Sequence, residues 1–415
     1  MKVLFMFTGL THYYNPILNR LNRISGLEII VVIPEKENQK NIGAGVHQTE
    51  EGIEFKLIHL KQYKSIYKFF FKGFDKVLKS ERPDAIVTTF FYAYTFLYHL
   101  GIRKLINKYN IKLIYKDIPF RVPLYKDAPL HHARILGYHQ DRFFLFNRLT
   151  LIMASLFSWI TKKMYQQFDG FVNYVEKAFE VYGTYGINPD KIHLIYNSTD
   201  TEIIFNNKEK IKNLVPILPR NPYRLIHVGR LVEWKRVDLL INAVSKLQTQ
   251  FPDIELIVIG KGPLLNTYKK LAVSLKVQDK IHFKGAVYDP LELGRYFSAA
   301  GIYVLGGMGG LSINEAMAYG LPVICSVCDG TEKHLVFENE NGKYFKEGDL
   351  NDLMDKISFL LNDPVKMKKM GQKSSNIIQH KVNVHTVIKG YVKAFNTVSN
   401  NQFKLKYQPK EAVTV

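Results

Sequence analysis

The sequence is poor in cysteine and in recognisable metal or nucleic-acid modules. Its 415 residues contain only two cysteines, Cys325 and Cys328, which excludes a disulfide framework and favours a reducing compartment. The two form a lone Cys-x-x-Cys with no second ligand pair, so we expect two incidental, largely buried thiols and no bound metal. Paired zinc ligands and an aromatic RNP-like strand are absent, and no nucleic-acid partner is therefore expected.

Long apolar runs are also scarce. The longest, residues 143–160, is interrupted by Asn147 and Arg148, whereas a membrane span needs roughly 18–20 clean apolar residues. We therefore predict a buried or interfacial helix there. Residues 1–9 are too short and wrongly flanked for a signal peptide, and predict a buried strand that ends in a turn at Gly9.

Acidic residues are outnumbered by basic ones. Lys and Arg total 57 against 37 Asp and Glu, a formal charge of +20. Such a charge favours a polyanionic neighbour, either an acidic membrane surface or a phosphorylated substrate. Residues 101–150 alone hold ten Lys or Arg against three Asp, so the charge is concentrated in the first half of the chain.

Residues 61–79 place lysines and apolar side chains at helical spacing on opposite sides. One interpretation is a crossover helix whose apolar side covers a sheet and whose lysines face water. The other is a basic surface that docks on anionic lipid headgroups. The two interpretations are compatible.

Short apolar runs alternate with amphipathic helical stretches, which is typical of parallel strands with helical crossovers. Strands are predicted in the first half at 2–7, 27–33, 84–90, 112–115, 170–174 and 191–196, and in the second at 224–228, 255–259, 281–284, 301–305 and 322–325. A proline-rich polar stretch lies between the two sets. We predict an N-terminal Rossmann-like domain (1–206), a linker (207–223), a second Rossmann-like domain (224–380) and a C-terminal helix (381–400) that packs back on the first domain.

The most informative motif is LGGMGGLSINEAMAYGLPVI, residues 305–324. It joins a glycine-rich turn to a helix start, where free N–H donors and the helix dipole favour anionic oxygens. Helical patterning places Glu315 in the first turns. A carboxylate beside an anion site suits a ligand that carries both phosphate and hydroxyl groups, such as a nucleotide sugar.

A second motif, HVGRLVEWKRVDLLINA at 227–243, provides cations at the end of a strand. A strand is expected to end at Val228, with a turn at Gly229 and a helix from near Arg236. Arg230 and Lys235 then project from the carboxyl end of that strand. A planar guanidinium fork and a mobile ammonium suit a diphosphate.

In order and spacing, the second half closely resembles the nucleotide-binding domain of the family-4 retaining glycosyltransferases. That resemblance implies an α/β GT-B fold, two doubly wound Rossmann-like domains facing a central cleft. It covers roughly residues 168–395. The matching positions are Gly229-Arg230, Lys235, Gly260-x-Gly262-Pro263, Gly285, Gly310-Leu311, Glu315-Ala316-Met317-Ala318, Gly320-x-Pro322-Val323-Ile324, Glu332, Gly342 and Gly348-Asp349, with Asn197 and Asp200 before them.

The resemblance also implies roles for individual residues. Arg230 and Lys235 correspond to the diphosphate clamp and Glu315 to the acceptor of ribose hydroxyls. The backbone of Gly310 and Leu311 corresponds to the phosphate-facing turn, and that of Ala286 and Val287 to the base contact. One position departs from the family, because Gly307 stands where a first glutamate usually touches the donor sugar.

First-domain residues are expected to meet the acceptor and the sugar. Gly9 is a donor-binding candidate, His12 and Arg121 are acceptor-binding candidates, and Asp117 joins Arg230 and Lys235 as a catalytic candidate.

The implied reaction is retaining transfer from a UDP- or GDP-sugar to a saccharide. Since the chain has no Asp-x-Asp pair, we expect no metal and no other cofactor. A lipid-linked or oligosaccharide acceptor, bacterial surface polysaccharide assembly and a cytoplasmic enzyme peripheral to the inner membrane face complete the hypothesis. The alternatives are a nucleotide-sugar epimerase or hydrolase of the same fold, and a non-catalytic polyanion-binding protein with a decayed site.

Overall fold

The computed structural model describes residues 1–35, 47–64, 69–117, 122–137, 144–327 and 330–409. The chain divides into two compact units. The N-terminal unit comprises Met1–Tyr196 together with His385–Val415, and the C-terminal unit comprises Asn197–Val384. The polypeptide therefore passes from one unit to the other twice.

The N-terminal unit is built on a parallel sheet of seven strands within the described residues, in the order β3-β2-β1-β6-β7-β8-β9. The central strands of this sheet are mainly apolar and buried, as expected where helices cover both faces of a sheet. A short antiparallel pair, β4-β5, lies beside it. The strands are β1 (Lys2–Met6), β2 (Glu28–Pro34), β3 (Lys56–Leu60), β4 (Gln62–Lys64), β5 (Phe69–Phe71), β6 (Ala85–Thr88), β7 (Lys112–Asp117), β8 (Gly170–Asn173) and β9 (Ile192–Leu194).

Helices cover this sheet, and one of them comes from the far end of the chain. They are α1 (Asn15–Asn22), α2 (Phe74–Glu81), α3 (Phe90–Ala93), α4 (Thr95–Tyr98), α5 (Leu100–Lys108), α6 (Ala128–Ile135), α7 (Phe144–Gln166), α8 (Lys177–Thr184) and α16 (Val384–Val398). The α16 residues Tyr391 and Phe395 stack edge-on against Phe5 of β1, with ring centroids 5.8 and 6.5 Å apart. The C-terminal helix thus completes the core over the first strand.

The C-terminal unit has a six-stranded parallel sheet in its described part, in the order β12-β11-β10-β13-β14-β15. Its strands are β10 (Arg224–Val228), β11 (Glu255–Ile259), β12 (Ile281–Gly285), β13 (Ile302–Leu305), β14 (Val323–Ser326) and β15 (Gly342–Phe345). Its helices are α9 (Thr201–Ile211), α10 (Val237–Leu247), α11 (Leu265–Ser274), α12 (Pro290–Ser298), α13 (Ser312–Ala318), α14 (Leu350–Leu361) and α15 (Pro364–His380). The unit has its own apolar core, contributed by the strands and by α10, α11, α14 and α15.

The predicted α/β class is confirmed, because both units are parallel sheets with crossover helices. All eleven predicted strands are present, with ends shifted by at most a few residues. Helix α9 belongs to the C-terminal unit and extends to Ile211, so helical residues occupy the start of the segment expected as a linker. The apolar run at 143–160 lies in the 23-residue helix α7. Among the described residues, no helix is both long and apolar enough to cross a bilayer.

The single helix expected over 61–79 is wrong. In the described part of that range, β4 and β5 form an antiparallel pair, and the helix begins only at Phe74. The three consecutive phenylalanines of β5 favour a strand. The backbone of Gly73 is left-handed, at φ 78°, so α2 does not extend towards β5. The lysines therefore do not share one helix face.

Candidate functional site

In the C-terminal unit, the strand order reverses between β10 and β13. Ligands of open α/β sheets bind outside the carboxyl ends of the strands at such a reversal. The loop after β10 carries Arg230 and Lys235, and the loop after β13 is the glycine-rich segment 306–311. The sheet topology therefore brings the two sequence motifs to one crevice.

Lys235 is held by the glycine-rich loop. It ends a 3-10 turn (Glu233–Lys235), is 7% exposed, and its Nζ donates hydrogen bonds to the backbone oxygens of Met308 (2.7 Å) and Gly309 (2.8 Å). A Cβ on Gly310 would lie 3.5 Å from the same Nζ. The ammonium of Lys235 is therefore held in place by the backbone of the glycine-rich loop.

Arg230 lies in the loop after β10, five residues before Lys235. It is half-buried, and its guanidinium lies over the Trp234 ring at 5.6 Å from the centroid. Stacking on an indole orients the planar fork while its N–H groups stay directed outward along its edge. Arg230 and Lys235 thus present two cations within six residues of chain.

The Gly-x-Gly after β11 has a packing role. A Cβ on Gly260 would lie 1.8 Å from the Gly229 oxygen, and one on Gly262 would lie 2.3 Å from the Leu231 oxygen. The backbone N–H of Leu231 donates to the Lys261 oxygen at 3.0 Å. Side chains at the two glycines would push away the turn that carries Arg230.

Sequence inspection missed His227, the buried residue behind this turn. Its Nδ1 is 3.2 Å from the Val304 oxygen, so it donates there, while Nε2 has no partner among the described residues. Nε2 points towards Gly229, whose Cβ would be 3.3 Å away. Burial, followed by the charge of Lys235, lowers the pKa of His227 to about 4. The ring is neutral at pH 7 and directs a lone pair at the turn.

Glu315 is in the first turn of α13, half-buried and beyond the glycine-rich loop. Burial raises the pKa of its carboxyl to about 7. Tyr303 lies nearby and its hydroxyl is bonded to the Ser312 hydroxyl at 2.7 Å. Such a carboxyl gains from hydroxyl donors, because they stabilise the charge that burial disfavours.

The other donor-site candidates lie along the same sheet edge. Gly310 is exposed. Leu311 immediately precedes α13, and its apolar side chain makes no capping hydrogen bond to the helix. Val287 is half-buried, two residues beyond the end of β12. The fold therefore places the loops of Val287, Arg230 and Gly310 in the order of strands β12, β10 and β13.

In the N-terminal unit, the candidates follow β1 and β7. Gly9 is buried in the turn after β1. Nδ1 of His12 is 3.2 Å from the His47 oxygen, and burial lowers the pKa of this imidazole. His12 is thus a half-buried, hydrogen-bonded loop residue. Arg121 lies outside the described residues.

Asp117 ends β7, and its carboxylate accepts a hydrogen bond from the Tyr115 hydroxyl at 2.6 Å. Its register partner on β8 is Asn173, which is fully buried and has neither side-chain polar atom bonded within the described structure. Buried amides normally find partners. Asn173 is therefore a further candidate for polar contact at this edge.

Lys116, also missed from the sequence, is surrounded by tyrosines. Its Nζ donates to the Tyr174 hydroxyl and lies over the rings of Tyr14 (5.0 Å) and Tyr174 (4.7 Å). The Tyr14 hydroxyl is bonded to that of Tyr391. The only sequence signal is a lysine that follows an apolar run near the end of a strand.

Metal ligands were not predicted, and the described residues contain no group of three or more His, Cys, Asp or Glu side chains placed to hold an ion. Cys325 is buried. Cys328 lies outside the described residues.

Comparison with known proteins places this site within a recognised family region. Residues 209–377 match the family model described as Glycosyl transferases group 1. An uncharacterised glycosyltransferase of Haemophilus influenzae is 29% identical over 178 residues, 41% of this chain and 50% of that protein. The poly(ribitol-phosphate) alpha-N-acetylglucosaminyltransferase of Staphylococcus aureus is 24% identical over 225 residues, 54% of this chain and 45% of that one. The similarity thus spans about half the length of these curated relatives.

A solved structure resembles nearly the whole chain. The structure of Anabaena HepE in complex with UDP matches 96% of this chain and 100% of its own, with a TM-score of 0.63 and 14% identity. At that identity the likeness shows the fold alone. Together with the two parallel sheets, it confirms the expected GT-B fold class.

Proposed function

We propose that this protein is a retaining, metal-independent glycosyltransferase of the family-4 type. It moves a sugar from a UDP- or GDP-sugar to a saccharide acceptor. The observation that carries the proposal is the pair of cations, Arg230 and Lys235, in the loop at the sheet reversal. Lys235 is bonded to the glycine-rich loop, and Arg230 lies over the Trp234 ring. Both lie inside the region that matches the glycosyl transferase family model.

The cations suit the diphosphate of the donor. As the bond between sugar and phosphate breaks, negative charge grows on the leaving nucleoside diphosphate. Preorganised cations and N–H donors stabilise that charge more strongly than they stabilise the ground state. Arg230 provides a planar fork, and the ammonium of Lys235 lies beside the backbone of Gly310. These groups supply the charge that a metal supplies elsewhere.

The proton from the acceptor hydroxyl goes to the departing phosphate oxygen on the same face of the sugar. The new glycosidic bond forms on the face that the leaving group vacates, so the configuration is retained. No strong protein base is then required. Glu315 accepts hydrogen bonds from the ribose hydroxyls, and the backbone beyond β12, at Val287, contacts the base.

The donor sugar meets a loop without a side chain at position 307. The backbone of residues 306–311 takes over the contact that a glutamate makes in relatives. The acceptor is assigned to the N-terminal unit, with His12 and Arg121 as its binding residues. Asp117 is the catalytic residue of that unit, and Gly9 contacts the donor. The basic composition of residues 101–150 suits an acidic acceptor, and the S. aureus relative is named for a phosphate-bearing polymer.

The acceptor is a lipid-linked saccharide, and the pathway is assembly of a bacterial surface polysaccharide or glycoconjugate. The enzyme works in the cytoplasm, bound peripherally to the anionic inner face of the membrane. The excess of basic residues supports this assignment, because anionic lipid attracts such a surface.

Thermal unfolding with UDP, GDP and their sugar conjugates tests the donor assignment. We expect one nucleotide series to raise the Tm, with or without EDTA. Lys235→Met and Arg230→Gln should weaken that nucleotide about tenfold to one hundredfold, since each removes a charge-assisted contact. Lys369→Met, at an exposed lysine of α15, is the matched control and should bind as the wild type does. A chain that no nucleotide stabilises, or one that needs a metal, contradicts the proposal.

A further inference from the structure

Helix α7 carries a second apolar face that no part of the described structure covers. Five large apolar side chains on it are between 51% and 61% exposed. They recur every three to four residues and therefore lie along one side of the helix. They are Leu149, Ile152, Met153, Leu156 and Trp159.

The opposite side of α7 is packed in the normal way. Ala154, Ser158 and Met164 are almost fully buried, and the Thr161 hydroxyl is bonded to that of Tyr94 at 2.9 Å. A surface helix normally has one apolar stripe, which faces the core, and a polar outer side. Because the inner side of α7 already packs on the core, its outer apolar stripe has no packing partner among the described residues of the unit.

Helix α6 extends the apolar surface. It packs on α7, where Nδ1 of His132 lies 2.8 Å from the Ser158 hydroxyl and its ring contacts that of Phe157 at 4.8 Å. Its own exposed apolar residues are Leu130, Ile135 and Leu136, of which Ile135 is 71% exposed. We call the outward apolar residues of α6 and α7 together the α6–α7 face.

The charges around the α6–α7 face have one sign. Within residues 128–137 and 144–166 the charged side chains are Arg134, Arg148, Lys162 and Lys163, and this described part contains no Asp or Glu. Lys163 lies over the Trp159 ring at 5.8 Å. Tryptophan beside lysine at the end of an apolar stripe is typical of side chains at a membrane interface.

We propose that the α6–α7 face docks on a bilayer that contains anionic lipids. The apolar stripe enters the headgroup–acyl boundary, and the four cations meet the phosphates around it. A second copy of this chain is a poorer occupant, because pairing two such faces would bring eight cations together without an acid among their described residues. The inference rests on the membrane contact in the proposed function and assigns the surface that makes it.

Vesicle sedimentation of the full chain tests the inference without any sugar. The vesicles are phosphatidylcholine alone, or phosphatidylcholine and phosphatidylglycerol in equal amounts. We expect binding to the mixed vesicles, reduced by added salt and weak on the neutral ones. Ile152→Gln with Leu156→Gln should lower the partition coefficient at least about tenfold. Arg134→Gln with Lys163→Gln should lower it about tenfold on mixed vesicles only.

The matched controls carry the same changes at equally exposed positions of the C-terminal unit. They are Val273→Gln with Val365→Gln, and Lys269→Gln with Lys270→Gln, and both should bind as the wild type does. Wild-type binding by Ile152→Gln with Leu156→Gln overturns the inference. So does lipid-free dimerisation that this pair of changes abolishes, because the face would then bind a second copy. Nucleotide-induced Tm shifts in these variants should remain unchanged, which separates failure of docking from failure of donor binding.

Discussion

An added Cβ on Gly307 would lie 2.1 Å from the backbone oxygen of Trp234. The Met308 N–H donates to that same oxygen at 2.9 Å, so the loop is fastened one residue further on. Gly307→Glu, which introduces the glutamate that the family resemblance implies at this position, should therefore destabilise the fold by about 1–3 kcal/mol and leave donor turnover no higher. Urea unfolding and a transfer assay measure the two effects.

The control for that change is Gly183→Ala. Gly183 is inside α8 with no atom within 4 Å of an added Cβ, so the alanine should stabilise the protein by about 0.5–1 kcal/mol. If Gly307→Glu unfolds like the wild type and transfers sugar faster, the loop does not have the close contact described.

The affinity for a UDP- or GDP-sugar should depend on pH through Glu315. Its carboxyl has a pKa of about 7 because of burial. The ionised carboxylate accepts hydrogen bonds from both ribose hydroxyls, whereas the protonated carboxyl does not. Below pH 7, binding therefore requires Glu315 to lose its proton. Affinity should rise up to about tenfold per pH unit towards pH 7 and level off above it. Calorimetric titrations from pH 6 to 8.5 measure this profile.

Glu315→Gln removes the titrating group while it keeps the size of the side chain. Its affinity should be lower at pH 8 and independent of pH. A wild-type profile that is flat over this range, or a Gln variant with the same slope as the wild type, excludes Glu315 from the nucleotide site.

Folding stability should fall as the pH drops from 6.5 towards 4, partly because of His227. Burial lowers the pKa of His227 to about 4, so over this pH range His227 binds a proton in the unfolded chain but stays neutral in the folded chain. The free energy of unfolding therefore decreases as the pH falls. His132 and His193 also have pKa values lowered to about 4, chiefly by burial, and act in the same direction.

His227→Asn keeps a donor for the Val304 oxygen and cannot ionise. Between pH 6.5 and 5 it should lose about 2 kcal/mol less unfolding free energy than the wild type does. Urea unfolding at the two pH values measures the difference. His131→Asn, at an exposed position, should retain the wild-type loss, and an equal loss in all three proteins would contradict a buried neutral His227.

Asp117 should affect transfer and not donor binding. Asp117→Asn keeps the shape but weakens the bond from Tyr115, so we expect kcat about tenfold to one hundredfold lower, with an unchanged nucleotide-induced Tm shift. Asp127→Asn, at an exposed residue of the 3-10 turn Tyr125–Asp127, is the control and should leave both unchanged. A reduced Tm shift in Asp117→Asn would place the carboxylate on the donor side.

The parallel strands could be predicted because strands buried on both faces are continuous apolar runs. Strands β10 and β11 match the predicted ends, 224–228 and 255–259. β3 escaped notice because its residues, KLIHL, are half-exposed and mixed in polarity. The prediction of a helix over 61–79 was wrong because it gave the even spacing of the lysines more weight than the strand preference of Phe69–Phe71.

The proximity of the cation-bearing motif and the glycine-rich motif could also be predicted, because each follows a strand and the carboxyl ends of parallel strands lie at one edge of the sheet. The hydrogen bonds from Lys235 to Met308 and Gly309 could not be predicted from the sequence, because they join loops that are 73 and 74 residues apart. The same holds for the orphan nitrogen of His227 and for Lys116 between its tyrosines. Such positions depend on tertiary packing, which brings together residues that are far apart in the sequence.

The return of α16 to the first unit has a consequence for synthesis on the ribosome. Phe5 is synthesised before the whole C-terminal unit, whereas Tyr391 and Phe395, which stack on it, are synthesised after that unit. Asn197–Val384 is one uninterrupted stretch and can acquire its core as soon as it has emerged. The C-terminal unit should therefore mature first, and a chain cut after Val384 would leave Phe5 of β1 without its contacts to α16.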